Sequence, residues 1–260
     1  MKKPEILITA QGRKIAYHKT DGEGPGVVFL GGFSSDMDGT KAIHLENWAR
    51  EFGRAFIRFD YSGHGQSSEQ FVDGCIGDWA EDAFEVISHL TSGPQILVGS
   101  SMGGWITLLM AKHIPNKVAG MVGIAAAPDF TEDSMWDWMD DMMRATLMRT
   151  GVVYIPSEYG KPYPITKHLI EDGRKQLVLR SELKLPFPVR LLHGTADNDV
   201  KLDVALRLVD HAQGPDIKLS IIKNADHRFS DDKCLSLICE AIHSVTVSYT
   251  HLRAHETHDD

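Results

Sequence analysis

Gly99-Ser100-Ser101-Met102-Gly103 sets a serine between two glycines in the G-x-S-x-G spacing. That spacing suits a serine held on a sharp, strained strand-to-helix turn. Residues two before and two after it crowd neighbouring backbone and must be small. Ser101 is the central serine and the candidate nucleophile; Ser100 reads as structural. A serine hydroxyl is a weak nucleophile, so it needs a base within hydrogen-bond reach and a carboxylate to orient that base. Downstream, Leu191-Leu192-His193-Gly194-Thr195-Ala196-Asp197 places an acid just past an apolar run. Ala225-Asp226-His227-Arg228 places a histidine on the loop after another such run. Asp197 and His227 are the expected acid and base, in the chain order serine, acid, histidine. Asp199 is the rival acid, and Asp226 reads as a loop-stabilising neighbour.

Acyl transfer through such a serine needs two backbone N–H donors for the oxyanion. Met102, which follows the nucleophile, is one candidate. Phe33 is the other, in Gly31-Gly32-Phe33-Ser34, where the glycines allow close backbone approach. Met135, Trp136, Met139, Met142 and Met143 could form an adaptable apolar substrate surface. The same residues read equally well as the packing face of a helix. His64, between Gly63 and Gly65, reads as part of a tight turn, and His193 as a core or supporting residue. Cys75, Cys234 and Cys239 form no disulfide framework or CxxC spacing, and no H-x-H or H-E-x-x-H pattern occurs. Neither a metal nor a cofactor is expected.

These residues sit between elements that alternate strand and helix. Strands are expected at Glu5–Thr9, Lys14–His18, Val27–Leu30, Ala55–Asp60, Gln95–Gly99, Val118–Ala126, Val189–His193 and Lys218–Ile222. Helices are expected at Thr40–Phe52, Trp79–Leu90 with Asp78 as N-cap, Met102–His113, Val200–His211 and Asp232–Val245. Uninterrupted apolar strands separated by helices imply an α/β fold with a mostly parallel central sheet and helices on both faces. The alternation breaks between Pro128 and Pro188, where Asp129–Leu185 reads as an inserted helical cap with a loop at Tyr154–Pro164. Residues 1–128 and 186–245 would form the core, and 246–260 a poorly ordered tail that looks foreign to the domain.

The chain has 260 residues, a formal charge of −9 and ordinary globular composition, which excludes collagen, coiled coil and disorder. An acidic chain without a Lys/Arg cluster is a poor nucleic-acid or anionic-membrane binder. No apolar run is long enough for a membrane span, and Lys2-Lys3 lacks an apolar segment behind it. A cytoplasmic location is the resulting expectation. The 13 histidines suggest metal at first sight, but His251, His255 and His258 lie in the tail and only His227 has a clear chemical task.

Together these residues resemble the α/β-hydrolase superfamily over residues 1–245. A narrower resemblance rests on Gly39-Thr40-Lys41-Ala42, Ile57-Arg58-Phe59-Asp60-Tyr61-Ser62-Gly63, Gly93 through Ser101, Gly103-Gly104-Trp105 and Arg190-Leu191-Leu192-His193-Gly194. These look like the mitochondrial palmitoyl-protein thioesterase branch, also described as an acyl-glucuronide esterase. That resemblance implies a triad at Ser101, Asp197 and His227 and hydrolysis of acyl esters or S-acyl thioesters, without cofactor. The cap matches weakly, and the absence of a transit segment points to a bacterial-type relative. Two other readings remain open at this point. One is C–C bond hydrolysis on the same scaffold; the other is a non-catalytic ligand receptor.

Overall fold

The computed structural model describes residues 3–156 and 162–256. Its elements in chain order are β1 (Glu5–Ile8), β2 (Lys14–Thr20), β3 (Glu23–Leu30), α1 (Thr40–Glu51), β4 (Arg54–Phe59), α2 (Ile76–Leu90), β5 (Gln95–Ser100), α3 (Met102–His113) and β6 (Val118–Ile124). They continue with α4 (Asp141–Thr150), β7 (Val152–Ile155), β8 (Tyr163–Thr166), α5 (Lys167–Gly173), β9 (Val189–Gly194), α6 (Leu202–His211), β10 (Ile217–Ile222) and α7 (Asp232–Glu256).

Eight strands form one sheet in the order β1-β2-β4-β3-β5-β6-β9-β10. β1 and β2 pair antiparallel, as do β2 and β4, and from β4 to β10 every pairing is parallel. The central strands are apolar without a break because both faces are covered. On β5, Ile96 and Val98 join one buried cluster with Ala42 and Leu45 of α1 and Ile238 and Ile242 of α7. Leu97 joins the opposite cluster with Trp79 of α2, Trp105 of α3 and Leu208 of α6. Burying each such aliphatic side chain contributes roughly 1.5–3 kcal/mol. The six residues of β5 are all buried, so its register is fixed and the turn that follows it is held rigidly.

The insertion between β6 and β9 contains a π-helical turn at Thr131–Trp136, α4, the antiparallel hairpin β7–β8 and α5. Asp140 caps α4 by accepting from the Met143 N–H at 2.7 Å, and Gly151 ends it with φ 84°. Asp129 sits at the entry to this insertion, fully buried and with φ 59°. Its two oxygens accept the N–H groups of Val178 at 2.8 Å and Leu179 at 3.0 Å, where the chain returns to the core. The expected loop Tyr154–Pro164 is instead partly strand, at β7 and β8, and residues 157–161 lie outside the described residues.

Two other expectations need correction. The N-cap of α2 is Cys75, not Asp78, because Asp78 in the first turn is engaged with the Cys75 thiol and with Arg13. The C-terminal helix does not stop at Val245 but runs to Glu256. Three polar residues just past Val245 find partners within the helix or against the core. Thr246 Oγ1 donates to the Ile242 carbonyl at 2.8 Å, Ser248 meets Arg190 at 3.2 Å, and Tyr249 packs against the α1–α7 cluster. Residues 257–260 of the expected tail lie outside the described residues.

Candidate active site

Ser101 stands between β5 and α3 with φ 54° and ψ −117°, a conformation that L-residues rarely adopt. The flanking glycines explain how the turn closes. A Cβ on Gly103 would lie 2.0 Å from the Leu30 carbonyl oxygen, and one on Gly99 would lie 2.3 Å from the Gly103 carbonyl oxygen. No side chain fits at either position without opening the turn. The Ser101 N–H donates to the Ile124 carbonyl at 2.9 Å, which ties the turn to β6.

β9 and β10 run parallel to β5, so the loops at their C-terminal ends emerge at the same sheet edge as Ser101. Asp197 lies just past β9 and His227 just past β10. The structure joins them in a chain of contacts. His227 Nε2 is 3.1 Å from Ser101 Oγ, and His227 Nδ1 is 2.9 Å from Asp197 Oδ2. The Asp197 side chain is fully buried and the His227 side chain is 17% exposed, so the pair is shielded while the serine side stays reachable. Burial pushes the Asp197 carboxyl up. The hydrogen bond and charge of His227, with the Val200 N–H, outweigh that and hold it below the ordinary carboxylate value. Its other oxygen, Oδ1, accepts the N–H groups of Asp199 at 3.0 Å and Val200 at 2.8 Å.

Asp199, the rival acid, thus contributes its backbone to Asp197. Asp226 accepts the Phe229 N–H at 3.0 Å and braces the loop of His227. Lys41 of α1 donates to the Arg228 carbonyl on the same loop. His193 is 1% exposed and donates from Nε2 to the Val200 carbonyl at 2.9 Å, behind Asp197.

The loop after β3 approaches from the other side. A Cβ on Gly32 would lie 3.5 Å from Ser101 Cβ, so this backbone passes directly beside the serine. Phe33 turns its ring into an aromatic cluster shared by core and cap, edge-on to Phe71 at 4.9 Å, Phe130 at 5.7 Å and Tyr163 at 5.7 Å. Met102 is the first residue of α3, and its N–H belongs to the first turn, where helix donors have no partner four residues back.

His64 does more than fill a turn. Its Nδ1–H donates to the Ser62 carbonyl at 3.1 Å, and its Nε2 accepts the Ser34 N–H at 3.2 Å. Both contacts are met by one neutral tautomer, and burial lowers its pKa from 6.5 to about 4. His64 therefore anchors the loop that carries Phe33. Sequence spacing gave no signal for a contact 30 residues away.

The expected methionine surface divides. Met139 is 2% exposed and joins the main buried cluster with Leu97 and Trp105, whereas Met142 is 78% exposed and faces solvent. The helical period cannot tell which flank of α4 a residue takes once the chain bends at Asp140. Met135 and Met143 are partly buried against the main core. Trp136 lies between the guanidinium groups of Arg144 at 5.0 Å and Arg174 at 4.5 Å. The aromatic residues around Phe33 were missed because they come from four separate segments.

A serine on a strand-to-helix turn, at the C-terminal edge of this sheet and in hydrogen-bond reach of a histidine, defines an α/β hydrolase. The α/β hydrolase fold family matches residues 25–151. Rat mitochondrial palmitoyl-protein thioesterase ABHD10 (Rattus norvegicus) is 35% identical over 92% of this chain and 78% of its own. The human protein of the same name is 34% identical over 88% and 75%. The mouse α/β hydrolase domain-containing protein 10 superposes with a TM-score of 0.87 at 32% identity, over 94% of this chain and 99% of its own. A crystal structure from Agrobacterium vitis S4 superposes with a TM-score of 0.90 at 39% identity, over 94% and 98%. The chain belongs to the α/β-hydrolase family, in the branch of these thioesterases, and is an enzyme of the hydrolase class. The reading as a non-catalytic receptor falls with this. The expectation of a cytoplasmic location is also corrected, because these curated relatives are named mitochondrial. Among the described residues no helix is long and apolar enough to cross a membrane.

Proposed function

We propose that the protein hydrolyses acyl esters or acyl thioesters through Ser101, His227 and Asp197. The observation that carries this is the contact chain from Ser101 Oγ through His227, at 3.1 Å, to Asp197 at 2.9 Å. His227 Nε2 takes the hydroxyl proton as Ser101 attacks the carbonyl carbon. Asp197 keeps the other imidazole proton on Nδ1 and stabilises the charge that forms. The N–H groups of Phe33 and Met102 receive the oxyanion. His227 then passes its proton to the leaving alkoxide or thiolate, and a water activated the same way releases the acid and restores the serine.

The acyl chain is assigned to the aromatic cluster around Phe33, with Met135, Trp136 and Met143 as the cap's contribution. The thioester preference is supported by relatives named palmitoyl-protein thioesterases. A fluorophosphonate probe should label Ser101, and Ser101→Ala should abolish labelling and lower ester hydrolysis by at least about 10³-fold. Normal hydrolysis of p-nitrophenyl esters by that variant would refute the assignment. A substrate panel of short esters, acyl-CoA, S-acyl peptides and vinylogous diketones separates ester and thioester hydrolysis from C–C cleavage.

A further inference from the structure

Away from Ser101, the seam between core helix α2 and cap helix α5 gathers a second set of reactive side chains. The donor atoms of Cys75, Asp78 and His168 all lie within 4.8 Å of one another. Cys75 Sγ is 3.2 Å from Asp78 Oδ2. Asp172 joins the same seam, its Oδ2 accepting the Gly77 N–H at 2.7 Å. The spacings are those that put two ligands on one side of an element. Cys75 and Asp78 lie three apart across the start of α2, and His168 and Asp172 lie four apart on α5. Carboxylates outnumber cations here: Arg13 is shared among Asp78 at 3.4 Å, Glu81 at 3.1 Å and Asp82 at 2.7 Å, so a cation at Asp78 would share it with Arg13. Asp172 and the exposed His168 complete the rim.

We propose that Cys75, Asp78 and His168 bind a divalent transition-metal ion of the zinc type, with Asp172 or a water as fourth ligand, so that the ion clamps the cap to the core. A thiolate with an imidazole selects zinc, cobalt or nickel over magnesium and calcium. Tetrahedral zinc holds such ligand atoms roughly 3.3–3.7 Å apart, given Zn–N and Zn–S bonds of about 2.0–2.3 Å. The donors must therefore close by at most about 1.5 Å, a swing open to an exposed imidazole. On binding, the Cys75 S–H proton leaves to water and the thiolate takes its place on the metal, so one proton is released per ion. The site lies outside the Ser101 chain and takes no part in hydrolysis.

The test is a cobalt titration of the full, chelator-treated chain. One equivalent of Co²⁺ should give a near-ultraviolet thiolate-to-cobalt charge-transfer band and tetrahedral visible bands, both displaced by Zn²⁺. Cys75→Ser should remove the charge-transfer band, and His168→Ala, at an exposed position, should weaken binding at least tenfold. Zn²⁺ should raise the melting temperature of the wild type but not of Cys75→Ser. Metal-free Cys75→Ser and His168→Ala should hydrolyse p-nitrophenyl esters like the wild type, which keeps this result separate from the triad. Absence of the band at stoichiometric cobalt, or its persistence in Cys75→Ser, would overturn the proposal.

Discussion

Replacing Asp197 by asparagine keeps the volume and changes only the hydrogen-bonding character of one side chain. The structure dictates how the amide must sit. The Oδ1 position accepts two backbone N–H groups, from Asp199 at 3.0 Å and Val200 at 2.8 Å, while Oδ2 accepts from His227 Nδ1 at 2.9 Å, with His193 Nε2 farther off at 3.7 Å. Asparagine has one acceptor oxygen. Placing its NH2 against the two backbone donors would leave both unpaired, at about 1–3 kcal/mol each. The oxygen therefore stays at Oδ1 and the NH2 faces His227. It donates to Nδ1, which forces the imidazole proton onto Nε2, the atom 3.1 Å from Ser101 Oγ. A protonated Nε2 cannot take the serine proton. The expected loss in kcat is about 10⁴, the size seen for this tautomer error in other triads, equivalent to about 5.4 kcal/mol of barrier. Asp199→Asn leaves its backbone contribution intact and should change the rate by no more than about twofold. The assay is kcat/KM for p-nitrophenyl ester hydrolysis, with circular dichroism to show that both variants fold. Asp197→Asn within tenfold of wild type, or a larger loss from Asp199→Asn, would refute the reasoning.

Gly103→Ala must push its methyl group away from the Leu30 carbonyl, 2.0 Å from the ideal Cβ position, so the serine turn opens. Activity should fall at least tenfold and stability by about 1–3 kcal/mol, read by ester kinetics and urea midpoint. His64 is neutral in the fold, with a pKa near 4 against 6.5 when unfolded. Its contribution is complete above pH 6.5 and is lost as pH falls from 6.5 to 4, by on the order of 3 kcal/mol. His64→Gln should flatten that part of the pH–stability curve, and an unchanged curve would count against the assignment. Lys41 is lowered from 10.5 to about 8, mainly by burial. The fold sheds this proton before the unfolded chain does, so stability should rise from pH 8 to 10.5 relative to Lys41→Met, as followed by urea denaturation.

The serine turn was legible in the sequence because its signal is local. A buried apolar strand, two glycines and a helix sit within Gln95–His113, and the glycines are required by backbone contacts in the same stretch. Asp197 and His227 were legible because each follows an apolar strand of a parallel sheet, so topology alone brings them to one edge. The hidden features are all contacts between distant segments. His64 reaches Ser34, Asp129 reaches Val178, and Cys75 meets His168, and no periodicity encodes such pairs. The cap was misread where composition stood in for geometry. Methionine content suggested a substrate surface, yet burial sorts Met139 inward and Met142 outward. The polar stretch after Val245 suggested the end of packing, yet its hydroxyls bond within α7 or to Arg190 and the helix continues.

Asp129 holds the entry and the exit of the insertion in one buried carboxylate, at 2.8 Å and 3.0 Å from the two returning N–H groups. Asp129 is the clasp at the neck of the insertion, and farther along Asp172 bonds Gly77 of α2 and the Gln176 carbonyl bonds Trp105 of α3. Exposed positions between residues 130 and 177, such as Met142 and Met148, lie outside that buried framework. One buried carboxylate thus fixes where the insertion leaves and rejoins the sheet that carries Ser101 and Asp197.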